Sequence, residues 1–172
     1  MRKQTERMAL MAVLLALILV LSFIESLIPL GGGIPGIKLG LANGVLLFAL
    51  YMLGTKEAII LMVLKVSVPL LYVPSYLQTI MYSAAGAVLS MASMLLVKQI
   101  RGISILGVSV TGAAMHNVGQ VLMAMLILQT GSLLYYLSVL LVVGVVTGVL
   151  TGTAAKLVMK SLKMTGTNPG GI

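Results

Sequence analysis

At 172 residues, with 60% hydrophobic and 8% charged side chains and a mean hydropathy of +1.18, the chain holds more apolar surface than a soluble domain of its size can bury. Lipid must cover most of it, which makes this an integral membrane protein of the all-α class. The net charge of +8 does not signal nucleic-acid binding, because the basic residues cluster beside the ends of apolar runs, and the absence of cysteine excludes disulfides and thiolate metal sites.

A helix needs about 20 apolar residues to cross the hydrocarbon core of a bilayer. The first such run extends from about Met8 to Ile28 and stops at Pro29 and the Gly31–Gly33 loop. It lacks an A-x-A-type cleavage site and is followed by further runs, so it reads as a retained helix. A shorter second span covers Ile37 to Leu53, and a third runs from Ala58 to Tyr72, interrupted near its end by Pro69 and Pro74. The fourth covers Tyr76 to Val97, the fifth Ile105 to Leu128 and the sixth Leu133 to Leu157. The expectation is one six-helix transmembrane domain over residues 1–163, followed by a Gly/Thr/Pro-rich, disordered tail from Met164 to Ile172.

With the N-terminus inside, nine of the eleven basic residues fall on the cytoplasmic side: Arg2, Lys3, Arg7, Lys56, Lys98, Arg101, Lys156, Lys160 and Lys163. This satisfies the positive-inside rule and places both termini in the cytoplasm of a multi-pass plasma-membrane protein. The two left over, Lys38 and Lys65, lie within apolar runs, where a charge is expensive and is kept for a reason.

Assigning a depth to each polar residue gathers most of them in the outer leaflet. Glu25 lies in the outer third of the first helix, Lys38 and Asn43 in the outer half of the second, and Lys65 near the middle of the third with Tyr72 beyond it. Gln78 and Tyr82 lie in the outer half of the fourth, His116, Asn117 and Gln120 near the middle of the fifth, and Tyr135 and Tyr136 at the outer start of the sixth. Such convergence describes a ligand cavity open to the outside, with lysine in excess of glutamate and therefore favouring a carboxylate or phosphate. The candidate site residues are Glu25, Lys38, Asn43, Lys65, His116, Asn117 and Gln120.

Structural alternatives stay open at this point. Glu25 with Lys38 or Lys65 can form an ion pair of purely structural value. His116, Asn117 and Gln120 can be hydrogen-bond glue between helices, although His116 and Gln120, four apart, share a face from which both reach one ligand. Tyr135 and Tyr136 fit an interfacial belt equally well, and the thirteen methionines fit packing. Ala12 and Ala16 form a small-xxx-small pattern on a face roughly opposite Glu25, and Gly144, Gly148 and Gly152 repeat that spacing in the sixth helix. The glycines read as an internal seam, the alanines as a partner interface or another seam.

The chain has no Walker A sequence, so it does not energise transport by itself. It has no aspartate, and so lacks the acidic clusters that hold Mg²⁺ on a diphosphate, and no Ser/His/acid set is evident. A lone histidine is a poor metal site. These absences make the chain non-catalytic and without a cofactor in this reading.

Three stretches carry a family resemblance: "LALILVLSFIESLIPLGGGIPGIKLGLANGVLLFALYMLG", "HNVGQ" and "LVVGVVTGVLTG". Over roughly residues 8–160 the chain resembles the family known as heptaprenyl diphosphate synthase component I, also called the Gx transporter family. That family is in turn similar to the substrate-binding S components of energy-coupling factor transporters. The resemblance implies a six-helix bundle that captures a small substrate from outside and docks on a T component and two cytoplasmic ATPase subunits. It makes Ala12 and Ala16 the docking pattern and Pro29 to Gly36 the lid loop. It leads one to expect Arg where this chain has Lys65, which exchanges a bidentate anion contact for a point charge. A phosphorylated vitamin-like compound such as a flavin nucleotide, or an isoprenoid diphosphate, fits the expected charge. Two rival readings are a non-catalytic accessory subunit of isoprenoid-quinone synthesis or of a membrane electron-transfer system, and a stand-alone secondary transporter, disfavoured by the lack of a visible inverted repeat.

Overall fold

A computed structural model describes residues 2–27, 40–72 and 77–164, and the described residues are helical apart from short turns. The six helices are α1 (Arg2–Leu27), α2 (Ala42–Met52), α3 (Thr55–Tyr72), α4 (Leu77–Lys98), α5 (Ile105–Leu128) and α6 (Leu133–Met164). Residues 4–27, 77–98, 105–128 and 133–162 form helices long and apolar enough to cross a membrane. Val13, Phe23, Leu126 and Val142 are among the large apolar side chains they turn outward, as lipid-facing surfaces require.

The second span departs most from expectation. It begins at Ala42 rather than Ile37, because Gly40 takes a φ of +84°, outside helical geometry. Eleven residues at 1.5 Å each make a rod of about 16 Å, well short of a bilayer core of about 30 Å. Every residue of α2 except Tyr51 is buried. It is an internal rod, and each of the other five helices packs against it. Its apolar run thus answers to protein on all sides, with Leu46, Leu47, Ala49 and Leu50 joined to Leu14, Ile18, Leu61, Met94, Val108 and Ala155 in one core.

Other boundaries shift less. α1 begins at Arg2 and α6 continues to Met164, both past the apolar stretch that marked them. α3 begins at Thr55 and runs through Pro69 to Tyr72, so that proline does not interrupt it; Pro74 and the tail residues 165–172 lie outside the described residues.

The C-terminal end of α2 is capped from two other helices. Its last turn closes at Gly54 (φ +116°), whose N–H donates to the Ala49 carbonyl at 3.1 Å. Arg7 Nη2 of α1 donates to the Leu53 carbonyl (3.1 Å), and Lys98 Nζ of α4 donates to that of Leu50 (2.9 Å) from 4.7 Å above the Tyr51 ring. Both cations face the negative end of the α2 dipole. The half-exposed Arg7 also stands 3.5 Å from Glu57. The Lys98→Met substitution should cost about 1 kcal/mol through the lost hydrogen bond and ring contact, whereas Glu57→Gln at the open pair should cost less than about 0.5 kcal/mol. Thermal denaturation in one detergent should rank them in that order.

Glycines set the spacing between α4, α5 and α6. A Cβ on Gly119 would stand 2.6 Å from the Ala85 carbonyl oxygen and 2.9 Å from Gly86 Cα. On α6, Gly144 meets the Asn117 side chain, Gly148 the Val110 backbone and Gly152 the Ser109 side chain. The sixth-helix glycine repeat is therefore an internal seam with α5.

Candidate functional site

Four helices bring polar groups to the N-terminal end of α2. On α1, Leu14, Ile18 and Glu25 are buried at spacings of four and seven residues, one face of the helix. That face turns the Glu25 carboxylate inward, where Oε1 accepts the backbone N–H of Leu41, immediately before α2. A carboxylate at this position also meets the positive end of the α2 dipole.

Asn43, in the first turn of α2, accepts a hydrogen bond through Oδ1 from Lys65 Nζ of α3 at 3.0 Å. Both side chains are buried, with 5% and 4% of their surface exposed, which means that the lysine is held in the interior by a polar partner rather than snorkelling to an interface. Asn43 Nδ2 has no hydrogen-bond partner among the described residues. It flanks Gly40: a Cβ there would lie 2.9 Å from Asn43 Nδ2 and 3.3 Å from His116 Cδ2 of α5. Gly40 therefore lets the asparagine amide and the imidazole pack close against the backbone, and a side chain there would displace one of them.

His116 and Gln120 are fully buried and share the α5 face that meets α4. A Cβ on Gly86 would approach both, at 2.9 Å from His116 Cε1 and 2.9 Å from Gln120 Cγ. Asn117, one residue on and about 100° around the helix, belongs to the opposite seam. Its Nδ2 donates to the Leu140 carbonyl of α6 at 2.6 Å and packs against Gly144. That is the hydrogen-bond glue reading for Asn117, whose Oδ1 finds no partner among the described residues.

The structure thus gathers Glu25, Asn43, Lys65 and His116 around Gly40 and Leu41, with Gln120 behind His116 and Asn117 turned toward α6. Lys38 and the proposed lid, Pro29 to Gly36, lie outside the described residues. Gln78 and Tyr135 are exposed and Tyr82 is packed in an apolar cluster with Val121 and Leu140, so none of the three joins the polar group. Ala12 and Ala16 are exposed on the outer side of α1. Two contributors escaped the reading by side-chain type, the Leu41 N–H and Gly86; the only available signal for the latter was the small-residue run Ser83 to Ala87.

The architecture defines a polytopic α-helical membrane protein with a buried polar group between its helices. The family model described as heptaprenyl diphosphate synthase component I matches residues 14–158, a stretch that includes every residue of this group, and the chain belongs to that family. No curated protein and no solved structure matches the chain.

Proposed function

We propose that this protein is a non-catalytic, ligand-binding membrane subunit of the S-component type, which captures a small anionic molecule for a partner that supplies ATP-driven transport. The single observation that carries the reading is the buried Lys65–Asn43 pair, whose Asn43 Nδ2 is left unpartnered among the described residues. A structural ion-binding network would satisfy its donors internally, whereas a site for an anion keeps donors in hand. The ligand class is a carboxylate or phosphate, with an isoprenoid diphosphate or phosphorylated vitamin as candidates. In this reading the bundle lies in the plasma membrane with α2 enclosed as a short internal rod, and both termini are cytoplasmic.

The exposed alanines of α1 support docking by close helix approach. Joint Ala12→Leu and Ala16→Leu substitutions should lower recovery of a T component and two ATPase subunits at least tenfold in gentle co-purification, with ligand retention unchanged. The family description favours a second reading, an accessory subunit of heptaprenyl diphosphate synthesis. A soluble prenyl synthase recovered in place of the ATPase subunits would select it.

A further inference from the structure

Lys65 is a buried cation that the described residues bring to the α2 N-terminus. Glu25 is a buried anion there. Its carboxylate accepts the Leu41 N–H at the positive end of α2, the place a ligand's carboxylate or phosphate would take by the same physics. A second, independent feature points to the same place: Asn43 Nδ2, on a side chain 95% buried, is unpartnered among the described residues and lies against Gly40, the residue just before that N–H.

We infer that Glu25 is a tethered stand-in for the ligand's anionic group, holding the Leu41 N–H until a carboxylate or phosphate displaces it. The inference rests on the ligand-binding reading above and assigns Glu25 a role within it. Two anions cannot share one N–H at low dielectric without a large repulsion, so the ligand and the Glu25 carboxylate exclude each other. Glu25 then sets a threshold: a weakly charged compound fails to displace it, while a phosphate or diphosphate succeeds. The displaced side chain carries occupancy to α1, the helix whose outer face bears Ala12 and Ala16.

The test is titration of the protein in lipid nanodiscs with inorganic diphosphate. Glu25→Gln keeps an oxygen acceptor for Leu41 and removes the charge, and should bind the probe about tenfold more tightly than wild type. Infrared difference spectra of the wild type provide a measurement that needs no folded variant. With only Glu6, Glu25 and Glu57 as side-chain carboxylates, Glu6→Gln and Glu57→Gln isolate the Glu25 band, which should shift on diphosphate addition. Wild-type binding with unchanged or weaker affinity in Glu25→Gln, or with a static Glu25 band, overturns the stand-in role and leaves the anion site intact. No diphosphate binding to either protein overturns the anion site and the stand-in role together.

Discussion

Replacing Lys65 by Met should weaken retention of the bound anion by about a hundredfold while leaving the fold in place. The lysine is buried at mid-helix and its Nζ is held 3.0 Å from Asn43. Removing one member of a buried charge pair costs about 2–5 kcal/mol in binding, and a factor of one hundred lies within that range. Methionine matches the length of the lysine stem and fills irregular space. It leaves the buried Asn43 Oδ1 without its donor, so stability should fall by about 1 kcal/mol. Ligand retention and melting temperature, measured on the same preparation, separate this outcome from simple unfolding, which would collapse both.

The largest effect on stability should come from Gly119→Ala. The new methyl would meet the Ala85 carbonyl oxygen at 2.6 Å and Gly86 Cα at 2.9 Å, backbone atoms that cannot rotate away. α4 and α5 must separate, and overpacking of this kind costs about 3 kcal/mol. For a chain of this length that corresponds to a fall in melting temperature of roughly 6–12 °C. The damage would spread to the site, since Gly86 on the same seam supports His116 and Gln120. Gly131→Ala, where an added Cβ meets nothing within 4 Å, is the matched control and should leave the melting temperature within a degree or two.

The helices that face lipid were legible because their signal is simple. The limits of α5, Ile105 and Leu128, coincide with expectation: Ser104 caps the start by accepting the Gly107 N–H, and Gln129 turns left-handed after the end. α2 was misjudged for a physical reason. Ile37 and Leu39 extend its apolar run, and hydropathy does not register the positive φ at Gly40 that delays the helix. Nor does it distinguish a residue buried by lipid from one buried by protein, which is what separates a span from an internal rod.

At the site, residue type and depth were enough to nominate Glu25, Asn43, Lys65 and His116, because a polar side chain in an apolar run is conspicuous. Their pairing was not legible. Asn43 and Lys65 are 22 residues apart on different helices, and the group facing Glu25 is a backbone N–H, absent from any survey of side chains. Asn117 could have been separated from His116 earlier, since adjacent positions on a helix point about 100° apart. The fully buried Ser90, whose hydroxyl has no partner among the described residues, lies near Gly112 on the α4–α5 seam, and the arrangement offers no physical account of it.

The central claim is that the α2 N-terminus holds a small anion, and the most direct measurement is native mass spectrometry of the protein released gently from its own membranes. The account expects a bound small molecule carrying a carboxylate or phosphate, present on the wild type and lost from Lys65→Met. A protein of bare mass from both, or a bound molecule indifferent to the loss of Lys65, would contradict it.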